Sequence, residues 1–370
     1  MAEITPIVMP KWGLSMKEGT INDWLVEEGA QITVGMPILD VETDKIANAV
    51  EAPDAGTLRR KVAAVGDILP VKALLGVLAP PEVSDADIDA FVAAYETPAA
   101  DEEEEGAAAA AYQFIEVDGI RTRYAKRGEG ADTVLFIHGF GGDLDNWLFN
   151  LDALADAHTV IALDLPAHGH ATPRLPGATL ASLAGFVAHF MDALDIGQAH
   201  LVGHSMGGGV AAQLAVDAPQ RVRSVALVSP AGLGEEVNSQ YTEGFVNAQS
   251  RRDLKPVVEL LFADAGLVSR QMLDDLLKYK RLDGITEALG TLGASLFGGG
   301  RQTELPGHRL GDTGKPVLVI WGAQDQIIPA SHAANAPAGA TVKVFDDAGH
   351  MSQMEKANEV NALLKRHIGG

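Results

Sequence analysis

The sequence predicts a multidomain chain with two folds in series. A small all-β, flattened antiparallel barrel comes first, then a larger α/β domain with a mainly parallel sheet and a helical cap. Three observations carry this reading. Residues 1–79 repeat themselves at one constant offset, with turn glycines at matching places in both halves. From Tyr112 onward, short apolar runs alternate with helical stretches. Within that second pattern, Gly203-His204-Ser205-Met206-Gly207 sets a serine between glycines where a strand gives way to a helix.

Composition narrows the classes. The chain has 370 residues, 47% of them hydrophobic, enough for more than one buried core. It has no cysteine, which excludes disulfides, thiolate metal sites and a cysteine nucleophile; no metal site is expected. The lack of cysteine agrees with a reducing cytoplasm. No basic-then-apolar leader opens the sequence, and no apolar run is long enough to span a bilayer. A net charge of -22 argues against binding nucleic acid through its phosphates. The charge is concentrated: ten carboxylates and no Lys or Arg lie between Glu82 and Glu105, followed by an alanine run to Ala111. Such a segment repels itself and stays extended, so residues 80–111 read as a linker. A short helix is expected inside it, where Ser84 offers an N-cap and Ile88, Phe91 and Val92 share one face.

In the first domain, Gly19-Thr20-Ile21 matches Gly56-Thr57-Leu58, and Gly29-Ala30-Gln31-Ile32 matches Gly66-Asp67-Ile68-Leu69. Val34 pairs with Val71, and Val41 with Leu78, at the same offset. Two similar halves of short strands suggest a pseudo-symmetric barrel. The alternating runs 37–42 and 46–53 flank Thr43-Asp44-Lys45, so Lys45 is expected at a hairpin tip joining the halves. A lysine there adds almost nothing to stability and by itself signals only solubility.

The second domain opens with a hairpin turning at Asp118-Gly119. Strands are expected at 133–137, 159–163, 200–202, 222–228, 317–321 and 342–345, and helices at 179–195 and 207–218. Continuous apolar strands between helices indicate a sheet covered on both faces. The G-x-S-x-G spacing needs small neighbours so that a sharp turn can lift the Ser205 hydroxyl to a helix N-terminus. A serine needs a base, and the base an orienting acid. Asp325 lies just past one strand and His350 past the next, so Ser205, Asp325, His350 runs in the chain order of α/β-hydrolases. Asp346 and Asp347 are rival acids. The oxyanion is expected at the backbone amides of Met206 and of Phe140, in His138-Gly139-Phe140-Gly141-Gly142. His138, His168 and His204 are assigned to packing or lining. Helical stretches at 257–263 and 270–282 fall in a cap at about 232–311.

The first domain resembles a lipoyl domain of the 2-oxo-acid dehydrogenase type. The resemblance rests on Met9-Pro10, Glu18-Gly19, Val26-Glu27-Glu28-Gly29 and Glu42-Thr43-Asp44-Lys45, with Pro53 and Gly56. It implies lipoate in amide linkage on Lys45; biotinyl domains place their lysine between methionines. Lipoyl domain, acidic linker (80–111) and α/β-hydrolase domain (112–370) together resemble the acetyltransferase components of acetoin dehydrogenase complexes. That resemblance implies acetyl transfer from the lipoyl arm to coenzyme A. It also implies a thiamine-diphosphate-dependent acetoin-cleaving partner, a flavin dihydrolipoyl dehydrogenase and a lipoate ligase, and it leaves a homo-oligomer open. The chain departs from ordinary lipoyl acyltransferases, whose C-terminal domain carries His, three residues, then Asp-Gly. Here His308 and Asp312 have the spacing, but Thr313 replaces the glycine. The acidic linker also holds no basic peripheral-subunit-binding domain. Two rival classes stand beside the transferase: a thioesterase recruited by its lipoyl domain, and a non-enzymatic carrier. Intact mass after growth with lipoate is expected to show one lipoyl adduct, absent in Lys45→Ala; an unmodified or biotinylated wild-type chain contradicts the carrier reading.

Overall fold

A computed structural model describes residues 4–12, 16–43, 47–98 and 112–369. They form two compact units.

In the first unit, eight short strands make two four-stranded antiparallel sheets. One has the order β1 (Thr5–Val8), β8 (Leu74–Leu78), β6 (Gly56–Lys61), β3 (Gln31–Ile32). The other has the order β5 (Ala47–Glu51), β4 (Pro37–Glu42), β2 (Glu18–Trp24), β7 (Ile68–Pro70). The sequence duplication is a structural one. Gly29 N–H donates to Leu58 O at 2.7 Å, and Gly66 N–H donates to Ile21 O at 2.8 Å. Each bond maps onto the other by the offset that relates Gly19 to Gly56. Gly29 and Gly66 both take φ of 92°, a turn conformation that side chains avoid, which is why both halves keep glycine there. Ile7, Ile21, Ile38, Leu39, Val41, Leu58 and Leu75 are fully buried between the sheets. Strands β4 and β5 pair with Glu42 opposite Ala47. Residues 44–46, Lys45 included, lie outside the described residues.

The linker expectation changes over its first half. Helix α1 (Asp85–Ala94) forms where the pattern placed it, started by the Ser84 side chain on the Asp87 amide. It is not a solvated spacer. Ile88 and Val83 bury against Leu74 and Val77 on β8 and Ala79 just after it, with Phe91, Val92 and Tyr95 beside them. Arg59 pairs with Asp85 at 2.8 Å, Arg60 with Asp89 at 2.6 Å, and the Tyr95 hydroxyl donates to Lys72 O at 2.8 Å. A net-charge argument missed this, because β6 presents the two arginines that neutralise the helix. The rest of the acidic stretch, from residue 99 to 111, lies outside the described residues.

The second unit is an eight-stranded sheet of order β16-β15-β14-β13-β11-β12-β10-β9. Its strands are β9 (Tyr112–Val117), β10 (Ile120–Arg127), β11 (Thr133–Ile137), β12 (Thr159–Leu163), β13 (Ala199–His204), β14 (Val222–Val228), β15 (Val317–Gly322) and β16 (Thr341–Phe345). The sheet is parallel from β12 through β16, while β9 and β10 are antiparallel additions. Asp118 and Gly119 both have positive φ, 52° and 72°, the primed turn that matches strand twist in a tight hairpin. Helices α2 (Leu151–Ala155), α3 (Leu180–Ala193), α4 (Met206–Asp217), α9 (Ser352–Glu355) and α10 (Ala357–Ile368) belong to the α/β layers. Between β14 and β15 come the cap helices α5 (Ser239–Asn247), α6 (Arg251–Glu259), α7 (Arg270–Lys280) and α8 (Ile285–Phe297). Helix α6 starts well before the expected 257–263, because the Ser250 hydroxyl caps the Asp253 amide upstream of the apolar residues.

Replacing Ile88 with alanine removes a fully buried side chain from the α1 interface. The first unit is expected to lose about 2–5 kcal/mol, measured as a shift of its calorimetric transition in the full chain. An idle linker helix would leave that transition in place.

Candidate active site

Ser205 sits between β13 and α4 with φ 53° and ψ −122°. This is a strained conformation for a residue with a Cβ. Packing requires it. A Cβ on Gly203 would collide with the carbonyl of Gly207, and one on Gly207 with the carbonyls of Ile137 and His138. The turn is held by Ser205 N–H on Val228 O (3.0 Å) and by Ser205 O, which accepts from Gly208, Gly209 and Ala231.

The structure chooses among the acids. Asp325 follows β15 and His350 follows β16, and His350 Nδ1 lies 2.8 Å from Asp325 Oδ2, both side chains fully buried. The Asp325 carboxylate is saturated: Oδ1 accepts from the Ile327 and Ile328 amides (2.8 and 3.0 Å), and Oδ2 also accepts from Trp321 Nε1 at 3.0 Å. Asp347 instead pairs with Lys356 at 2.6 Å on the surface, and Asp346 is exposed. With Nδ1 committed to the acid, His350 Nε2 is buried and has no hydrogen-bond partner among the described residues. It is the nitrogen available to exchange a proton with a reacting hydroxyl or thiol.

His204, beside the serine, ties the two loops together. Its ring lies 4.7 Å from that of His350, and its Nε2 is 3.0 Å from the His350 carbonyl. Burial, with His350 beside it, holds its pKa well below the ordinary value, so a neutral His204 donates that bond. Gly139 packs directly on the elbow, since a Cβ there would press on Ser205 Cβ and His204. The Phe140 and Met206 amides have no backbone acceptor among the described residues. Phe140 O accepts from the Tyr241 hydroxyl at 2.9 Å, and its ring meets Phe245 and Phe297 of the cap edge-on at 6.2 and 5.9 Å. The cap thus fixes the loop that carries Phe140. Lys280 is buried under the same cap and donates to Phe245 O and Ala248 O at the end of α5.

Three further residues hold the loops of the site. Glu355 accepts from the Gly349 and Ala263 amides, both at 2.7 Å, and so staples the His350 loop to the cap. Trp321, at the end of β15, donates Nε1 to Asp325 Oδ2 and Ile328 O at 3.0 and 3.1 Å. Asp164 takes Arg123 in a two-point ion pair (2.8 and 3.2 Å) and accepts from Leu144 and His170 amides, tying the loop after β12 to the sheet. The Arg123–Asp164, Leu144–Asp164 and Ala263–Glu355 contacts join residues far apart in the chain and have no local sequence signal, whereas Trp321–Asp325, Gly349–Glu355 and His170–Asp164 lie within six residues. His138 and His168 pack as expected. His138 Nε2 accepts from Leu165 N–H at 2.9 Å, and Nδ1 faces Gly139 O at 2.8 Å.

Comparison with known proteins agrees with these two units. Residues 132–357 match the family model described as alpha/beta hydrolase fold, and residues 5–78 match the one described as biotin-requiring enzyme. A solved meta-cleavage product hydrolase from Pseudomonas fluorescens IP01 is similar at 25% identity and a TM-score of 0.63, over 70% of this chain and 97% of that one. A 2-hydroxy-6-oxononadienedioate/2-hydroxy-6-oxononatrienedioate hydrolase of Burkholderia vietnamiensis is 31% identical over 66% of this chain and 90% of its own. Fold and site therefore define an α/β-hydrolase-fold protein with a biotinyl/lipoyl-type domain at its N-terminal side. Two relatives span both units. The dihydrolipoyllysine-residue acetyltransferase component of the acetoin cleaving system of Cupriavidus necator is 79% identical over 99% of this chain and 98% of its own. The protein of the same name from Pseudomonas putida is 48% identical over 99% of this chain and its full length. The chain belongs to this family of acetoin-cleaving-system acetyltransferase components. No helix among the described residues is long and apolar enough to cross a membrane.

Burial also sets a pH dependence. It pushes the His138 pKa down to about 4; it pushes His168 down to about 3, with His138 beside it adding to the fall. Unfolded histidines titrate near 6.5, so below that pH the unfolded chain binds more protons. The contribution is fully present above pH ~6.5 and is lost as pH falls toward 4, on the order of 3 kcal/mol for His138. Calorimetry of the full chain is expected to give a lower Tm at pH 5 than at pH 7. The drop is expected to be smaller in His168→Gln.

Proposed function

We propose that this chain is the acyltransferase of acetoin catabolism, moving an acetyl group to coenzyme A with Ser205, Asp325 and His350 as its catalytic residues. The observation that carries the reading is the buried His350–Asp325 pair beside the strained Ser205, in a chain that also holds a lipoyl-type domain. Lys45 falls in the 43–46 connection of a hairpin whose strands end on a buried core (Val41, Val50), a scaffold suited to presenting a modified lysine. Lipoate in amide linkage there would supply a dithiol that carries the acetyl group as a thioester.

The residues act as follows. His350 Nε2 takes the Ser205 proton as Oγ attacks the thioester carbonyl, and Asp325 stabilises the imidazolium that forms. The Phe140 and Met206 amides hold the oxyanion. Collapse breaks the C–S bond, and His350 returns the proton to the leaving thiol. The acetyl group is now an ester of Ser205. His350 next deprotonates the coenzyme A thiol, whose sulfur attacks that ester; Ser205 leaves with the proton. Phe140, Tyr241, Phe245 and Phe297 are buried over the site and keep water from competing. The partners proposed are a thiamine-diphosphate-dependent acetoin-cleaving enzyme, a flavin dihydrolipoyl dehydrogenase and a lipoate ligase, in the cytoplasm.

Ser205→Ala is expected to abolish transfer from acetylated lipoyl domain to coenzyme A. Asp325→Asn is expected to slow it about 10⁴-fold, the scale of that change in a serine-protease triad. Product analysis separates the rival reading, since a thioesterase yields acetate whether or not coenzyme A is present. Full transfer by Ser205→Ala contradicts the acyl-serine route.

A further inference from the structure

A groove of about 480 Å³ runs between cap helices α5 and α6, within the size range of small-molecule sites. Pro256, Val257 and Leu260 form its apolar side, and Gln240, Glu243 and Asn247 its polar side. One end of it, where Asn238 and Leu261 lie, is tied to the loops of the triad. Asn238, just before α5, donates Nδ2 to Gln326 O and N–H to Ile327 O, both at 2.8 Å, beside Asp325. Leu261, just after Leu260, accepts from the Met351 amide at 3.1 Å, beside His350. Among the described residues of α6, Arg251 pairs with Asp274 and Lys255 with Glu259, whereas Arg252 is exposed and has no carboxylate partner. Arg252 lies one turn before Pro256, on the same side of the helix.

We propose that this groove seats the pantetheine arm of the coenzyme A acceptor, with Arg252 on its phosphates; the assignment rests on the acceptor reading above. The chemistry matches along the groove. Pantetheine alternates amides with short methylene runs. Gln240 and Asn247 both donate and accept, Glu243 accepts from an amide N–H, and Pro256, Val257 and Leu260 cover the methylenes. The unpaired guanidinium selects a phosphorylated arm over the acyl-donating one, which has no phosphate. A fork of N–H donors suits phosphate oxygens.

The test is saturation kinetics of acetyl transfer with coenzyme A and with pantetheine, in wild type, Arg252→Glu and Asn247→Trp. Both positions are exposed, and an unchanged Tm establishes that the variants fold. Arg252→Glu is expected to raise KM for coenzyme A about tenfold, the loss of one charge-assisted hydrogen bond, with KM for pantetheine within about twofold. Asn247→Trp is expected to raise KM for both thiols. Coenzyme A-dependent turnover with KM unchanged in both variants overturns the groove assignment alone, and equal effects of Arg252→Glu on the two thiols overturn the phosphate contact. A wild-type chain that makes acetate and no acetyl-coenzyme A overturns the acceptor reading, and the groove assignment with it.

Discussion

The left-handed backbone at Ser205 is the constraint around which the second unit is arranged. With φ 53° and ψ −122° it costs on the order of 1–3 kcal/mol, and it persists because its surroundings allow nothing else. The amide of Ser205 is bound by β14, and its carbonyl by the first turn of α4 and by Ala231. Gly203, Gly207 and Gly139 let neighbouring chain segments approach to distances that no Cβ would permit. The return on that strain is a hydroxyl lifted out of the sheet at a helix N-terminus. It stands next to a loop in which the Phe140 amide has no acceptor among the described residues.

The other half of the site is held from the cap. Glu355 and Leu261 fix the His350 loop, Asn238 the Asp325 loop, and Tyr241 the Phe140 loop. One insertion thus holds the His350, Asp325 and Phe140 loops, and its Phe245 and Phe297 pack edge-on against Phe140. Hydrolases share this fold and transferases need it drier. The difference between them lies in which nucleophile reaches the acyl group, and the cap controls that access.

The elements of the second unit were largely legible, because strand and helix periods are local. The Ser205 turn was legible from its G-x-S-x-G spacing, and the Asp325–His350 pair from the place of each after a strand. The internal duplication was legible, and the symmetric bonds of Gly29 and Gly66 give it its physical form. The α1 interface was misread because composition registers the charge of a segment and is blind to Arg59 and Arg60 on a strand that precedes it. The long-range partners of Glu355 and Asp164, namely Ala263, Arg123 and Leu144, carried no signal, since they are set by folding.

The sequence by itself determined the two fold classes, the serine between glycines, the order of the triad residues and the lysine between two alternating strands. These depend on residue type and on spacings within a few turns of chain. Only the tertiary structure decided that Asp325 and not Asp346 or Asp347 faces His350, and that His204 anchors the His350 carbonyl. It also decided that α1 belongs to the barrel's surface and that α5 and α6 part to leave a groove. Those outcomes depend on which distant groups burial forces together. There a carboxylate or an imidazole must find its hydrogen-bond partner within the protein, because water is excluded.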